Sequence, residues 1–245
     1  RRPAGAMNRV SDHRPPRPPL PRPPLPRPPK GVALDLDGTL IDSEAVVFEA
    51  YEAAARLHGL ALGRERFLAC VGKHRAASAE VLRGFFGDFP LEAFYASVAA
   101  HIGDAAAPLK PGALELLAQI EEAGLPLALA TSSGPPWVER HFRAHGLRRR
   151  FAAIVTRDDV TMGKPDPEPY VAAAARLGLR PEDVLAVEDS PTGLASAHAA
   201  GCMAVLAPDL IEPDDACRAM AVAVVGGLIE GRDLLRLSRQ PQPST

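Results

Sequence analysis

Cysteine is scarce in this sequence: Cys70, Cys202 and Cys217 stand far apart, odd in number, with no C-x-x-C pair. That excludes a disulfide framework and suits a reducing cytosol. No apolar run approaches the roughly 20 residues of a membrane-spanning helix. The basic N-terminus lacks the apolar h-region of a secretory signal. The seven histidines show no ligand spacing with cysteines or acids, which argues against zinc. The "GK" at Gly163-Lys164 is not a P-loop, since GxxxxGK[ST] is absent. These absences lead to the expectation of a cytoplasmic protein with no membrane partner.

What is present is unevenly distributed. The formal net charge is −2, yet residues 1–30 hold eight Lys/Arg against one acid, which leaves −9 for the rest. An acidic body argues against nucleic acid as partner, because phosphate-backbone binding needs a basic surface. Residues 1–30 also contain eleven of the 26 prolines and a tandem "PPLPR" at 18–22 and 23–27. With few backbone donors and little to bury, this segment is expected to be a disordered or polyproline II tail. Pro21 and Pro24 form a PxxP that aromatic grooves recognise, but a solvated tail is the preferred reading. Residues 236–245 are read as a second disordered tail.

From residue 31 the text alternates apolar strands with amphipathic helices. Strands are expected at residues 31–36, 126–131, 152–155, 183–187, 203–206 and 222–225, and helices at 112–123, 136–145, 168–177 and 192–200. Near-continuous apolar strands alternating with helices imply a parallel sheet covered on both faces. The expected fold is α/β, a doubly wound, Rossmann-like core over residues 31–44 and 109–235. Residues 45–108 contain no convincing strand and read as successive Ala-rich helices. They are expected to form an inserted helical cap over the carboxyl edge of the sheet, where ligands of open α/β sheets bind.

Chemistry gathers at the strand ends. Asp35 and Asp37, in D-L-D-G-T, lie two residues apart, so strand alternation points both to one side where the apolar run stops. Paired carboxylates repel, and a cation between them or protonation of one relieves this. Asp42 and Glu44 are expected only to cap the next helix. Thr131 and Ser132 end another strand ahead of a helix, where hydroxyls and free N–H groups form an anion site. Lys164 sits between Gly163 and Pro165, fixed so that its ammonium neutralises a phosphate or a carboxylate. Glu188 and Asp189 form a second acidic pair at a strand end. Hard oxygen ligands from two strand ends describe a Mg²⁺ site better than one for a softer metal.

Together and in this order, these stretches resemble the haloacid dehalogenase superfamily over residues 31 to about 225: D-L-D-G-T at 35–39, Thr131, Lys164 in G-K-P-D-P, and E-D-S at 188–190. The resemblance implies a Mg²⁺-dependent phosphatase with Asp35 as nucleophile, forming an aspartyl phosphate, and Asp37 as acid and base. It also implies that Thr131, Ser132 and Lys164 hold the phosphoryl oxygens. Asp35, the Asp37 carbonyl, Glu188 and Asp189 would hold the metal. Asp37 favours phosphoryl transfer over dehalogenation, since dehalogenases replace the residue at that place. Gly72, Arg75 and Ser78 fit the G-x-x-R-x-x-S of sugar-phosphate phosphatases and β-phosphoglucomutases, so Gly72, Lys73, His74 and Arg75 are the substrate-facing candidates. The mutases carry a histidine near the place of Val47, and none stands here. Hydrolysis of a small phosphorylated metabolite, such as a sugar phosphate, is therefore preferred over a mutase or a non-catalytic binding module.

Overall fold

The computed structural model describes residues 25–71, 75–210 and 212–237. Six parallel strands among them make one sheet: β1 (Gly31–Leu34), β2 (Leu127–Ala130), β3 (Ala153–Val155), β4 (Val184–Glu188), β5 (Met203–Leu206) and β6 (Ala223–Val224), in the order β3-β2-β1-β4-β5-β6. Register follows Val32↔Leu127 on one side of β1 and Val32↔Leu185 on the other. The order reverses direction between β1 and β4, which opens a crevice at their carboxyl ends.

Strand alternation sorts the side chains into two unlike cores. Val32, Leu34, Leu127, Leu129, Leu185, Val187 and Val205 point to one face, where they meet α5 (Ala113–Glu122), α6 (Pro135–His145) and α10 (Leu228–Leu237). Ala33, Ala128, Ala130, Ala186 and Ala204 point to the other, beneath α7 (Glu168–Arg176), α8 (Pro191–Ala199) and α9 (Asp215–Met220). Small residues on both partners, Ala173, Ala174 and Ala197 among them, let α7 and α8 pack close to the sheet. The α/β, doubly wound expectation holds, with strand bounds shifted by two residues at most. The helices α9 and α10 were not read from the sequence.

Between β1 and β2 the chain forms α1 (Ser43–Leu57), α2 (Gly63–Leu68), α3 (Arg75–Phe86) and α4 (Leu91–Ile102). Leu91, Phe94 and Val98 recur at helical spacing on α4 and bury against Ala50 and Ala54 of α1. This cluster is separate from the two cores of the sheet, and the partly buried Tyr51 packs against it with its ring centroid 5.5 Å from those of both Phe67 and Phe94. The outgoing and returning linkers pair across Ile41↔Leu109, with Asp42 N–H donating to Pro108 O and Lys110 N–H to Leu40 O.

Two expectations need correction. The expected tail runs through residue 30, but Leu25 is 8% exposed and belongs to the larger core, and Lys30 Nζ donates to Asp183 at 3.2 Å. The second "PPLPR" supplies an apolar side chain that the sheet's face takes up; the first, with the PxxP, lies outside the described residues, as do residues 238–245. Asp42 occupies the N-cap place of α1 but makes no side-chain capping bond. Instead its carboxylate lies 3.7 Å from Lys110, which the returning linker brings alongside.

Candidate active site

The apolar run of β1 ends at Leu34, and Asp35 follows directly, buried at 6% exposure. Lys164, from the loop after β3, donates to Asp35 Oδ1 at 2.6 Å and to Glu188 Oε1 at 2.5 Å. Glu188, the last residue of β4, also accepts from Tyr170 Oη of α7 at 2.6 Å. Asp189 accepts from Thr39 Oγ1 at 3.2 Å. Strand ends far apart in sequence thus converge on one buried polar cluster beside the β1/β4 crevice.

Close approach here depends on two glycines. Gly38 holds φ +79°, and a Cβ there would stand 2.8 Å from Asp189 Cγ, so the turn after β1 admits no side chain. At Gly193 a Cβ would collide with the Glu188 carboxylate. The start of α8 therefore comes up to that acid only because residue 193 lacks one.

Electrostatics sets the cluster apart from an ordinary salt bridge. Oxygens of Asp35, Glu188 and Asp189 all lie within 4.8 Å of one another, three carboxylates against one ammonium. Burial first, with Glu188 and Asp37 adding to it against the pull of Lys164, pushes the Asp35 pKa up to about 7. Burial, then Asp35 and Glu188, raises Asp189 well above the carboxylate range. For Lys164, burial works against the charge, but Asp35 and Glu188 outweigh it and hold the ammonium protonated. Negative charge in surplus, on a buried all-oxygen donor set, fits a hard divalent cation.

Asp37 stands apart from this group. Its side chain turns toward the start of α6, where Oδ2 accepts from Ser133 Oγ at 2.6 Å and Oδ1 from Trp137 Nε1 at 2.9 Å. Alternation from Asp35 does not set this direction, because the strand has already ended. Thr131, at the end of β2, is buried and accepts from Ser133 N–H at 3.0 Å, and Ser132 beside it is exposed.

Asp35, Asp37, Thr131, Ser132, Lys164 and Asp189 share a cleft of ≈ 1050 Å³ whose opposite wall comes from Glu44, Val71, Arg75 and Glu80 of the α1–α4 unit. Arg75 lines it while donating to Glu92 at 2.7 Å and lying 4.5 Å over the Tyr95 ring. Gly72, Lys73 and His74 lie outside the described residues. Sequence reasoning missed Trp137 and Tyr170, and Thr39 and Ser133, which stand inside the D-L-D-G-T and T-S-S stretches, were given no role of their own. Trp137 is the chain's single tryptophan, next to a strand end already under suspicion, which was the available signal.

None of the described helices is long and apolar enough to cross a membrane. The model of the haloacid dehalogenase-like hydrolases matches residues 29–201. Protein CbbY of Cupriavidus necator is 35% identical over 208 residues, covering 76% of this chain and 81% of that protein. Hexitol phosphatase A of Escherichia coli is 37% identical over 185 residues, covering 73% and 84%. The crystal structure of CbbY from Rhodobacter sphaeroides in complex with phosphate superposes with a TM-score of 0.67 at 28% identity, covering 82% of this chain and 96% of that one. The chain belongs to the haloacid dehalogenase-like hydrolases.

Proposed function

We propose that this protein is a Mg²⁺-dependent phosphatase acting on a small phosphorylated metabolite, a sugar phosphate or related phosphomonoester, in the cytoplasm. The observation that carries the reading is the buried convergence of Asp35, Lys164, Glu188 and Asp189, three of which line a cleft large enough for such a molecule. Names among the relatives, a hexitol phosphatase and a protein solved with phosphate, support the substrate class.

In this reading Asp35 attacks phosphorus as the bond to the leaving oxygen breaks, and Asp37 gives that oxygen its proton. Asp37 then takes a proton from water as the water attacks the aspartyl phosphate, which frees inorganic phosphate and restores the Asp35 carboxylate. Thr131 and the Ser132 N–H receive phosphoryl oxygens, and Lys164 offsets their charge. Asp35, Glu188, Asp189 and the Asp37 carbonyl would hold Mg²⁺, which when bound supplies charge neutralisation of the phosphoryl group. The α1–α4 unit, residues 45–108 in outline, serves as the cap that closes the cleft from water, with Arg75 facing substrate. Val46 and Val47 stand in the first turns of α1, with no histidine before His58, so water is preferred to a sugar hydroxyl as acceptor.

The test is release of inorganic phosphate from p-nitrophenyl phosphate and a sugar-phosphate panel with Mg²⁺. Wild-type turnover, its loss in EDTA with recovery on added Mg²⁺, and its abolition by Asp35→Asn are expected. Turnover that survives in Asp35→Asn would remove the nucleophile assignment.

A further inference from the structure

The helix that receives the Asp37 carboxylate also grips the linker returning from the α1–α4 unit. On α6, Trp137, His141 and His145 recur every four residues and form one stripe. Trp137 Nε1–H donates to Asp37 Oδ1 at 2.9 Å, and the carbonyl of Trp137 accepts from His141 Nδ1–H at 2.8 Å. The two rings lie 4.4 Å apart. His141 is wholly buried, and its Nε2 accepts the N–H of Ala107 at 3.0 Å. One nitrogen donating and the other accepting describes a neutral imidazole, in keeping with a pKa that burial lowers. His145 Nε2–H donates to the carbonyl of the same Ala107 at 2.7 Å. Both backbone groups of one linker residue, itself fully buried, are thus held by two histidines of α6.

We infer that Trp137 and Ser133 are positioning residues for Asp37, and that the His141–His145 grip on Ala107 makes the acid's placement and the cap's return linker parts of one rigid body. Two donors on Asp37 fix both of its oxygens, so the carboxyl meets the leaving oxygen at one place instead of sampling rotamers. The tether holds α6 against the linker through Ala107, so the donors on Asp37 keep a fixed place relative to that linker.

This inference rests on the phosphatase reading, in which Asp37 protonates the leaving group, and leaving-group dependence separates the two. Wild-type protein with Mg²⁺ is assayed on p-nitrophenyl phosphate, whose leaving group needs little protonation, and on phenyl phosphate, whose leaving group needs more. kcat/KM reports events up to departure of that group. A positioned acid is worth on the order of 10²–10⁴ in rate. Trp137→Phe displaces the acid without deleting it, and the ratio of kcat/KM for phenyl over p-nitrophenyl phosphate is expected to fall about tenfold. Ser133→Ala, a change in a partly exposed loop, gives the same direction and stands in if Trp137→Phe does not fold by circular dichroism. His145→Ala tests the tether and should lower the same ratio about two- to fivefold, a smaller share of the same effect. A merely structural role lowers both esters alike, and an unchanged ratio in Trp137→Phe and Ser133→Ala overturns the positioning role. An unchanged ratio in His145→Ala overturns the tether. Failure of the wild type on both esters overturns the phosphatase reading and this inference with it.

Discussion

At the scale of single residues, the buried cluster works because every donor is matched to surplus acceptors. Glu188 is 1% exposed and takes two donors on one oxygen, Lys164 and Tyr170. Tyr170 is fully buried, its hydroxyl pKa raised by burial and then by Glu188 and Asp35, so it remains a donor. Tyr170→Phe removes that bond and leaves the lysine. The expected loss is about 1.5 kcal/mol, the low end for hydrogen bonds to charged groups, read by urea denaturation in EDTA. A stabilised variant would mean that the phenol's burial costs more than its bond returns. Asp35, Lys164, Glu188 and Asp189 were legible in sequence because each follows an abrupt end of an apolar run or a glycine. Tyr170 was not, since a tyrosine among alanines on a helix looks the same whether its hydroxyl meets water or a buried acid.

At the scale of elements, β1 to β5 announced themselves through composition, because a parallel strand buried on both faces must be apolar throughout. The division into a large-residue face and an alanine face also follows from period-two alternation. Six-residue α9 is too short to show a repeating apolar face, whereas α10 is amphipathic, with Leu228, Leu234 and Leu235 buried against the larger core, and its pattern was there to be read. Residues 25–30 belong to this scale too. Leu25 occurs in a proline-rich stretch that composition assigns to solvent, yet it fills a place in the larger core. Leu25→Ala should lower stability by about 2 kcal/mol, the lower bound for a buried leucine because the site lies at the rim of the core. A change under about 0.5 kcal/mol in chemical denaturation would return the segment to the tail.

At the scale of the whole molecule, the junction between the α1–α4 unit and the sheet carries its own charge cluster. Lys110 of the returning linker donates to Asp209 at 2.7 Å and lies 3.7 Å from Asp42. Burial, then Asp209, against the opposing pull of Lys110, raises Glu44 from 4.5 to about 7. Glu44 Oε2 and Asp209 Oδ2 are buried without a donor from any other group, and a proton on Glu44 bonded to Asp209 serves both. The folded protein thus keeps a proton that the unfolded chain releases between about pH 4.5 and 7. Stability contributed at this site falls as pH rises through that window and is level above it. Glu44→Gln removes the titration, so its melting temperature relative to wild type should rise between pH 5 and pH 8 in EDTA. A difference independent of pH would place the proton elsewhere.

Sequence by itself determined the alternation of strands and helices, the acids and the lysine that gather at the strand ends, and the family they resemble. It did so because burial on both faces leaves an unbroken apolar record, and chemistry interrupts that record visibly. Only the tertiary structure decided where the Asp37 carboxylate points, what Arg75 touches, and that Trp137, His141 and His145 join the acid to a linker thirty residues upstream. Those contacts are made between elements whose spacing along the chain carries no information about their distance in space, so only the packed molecule brings them together.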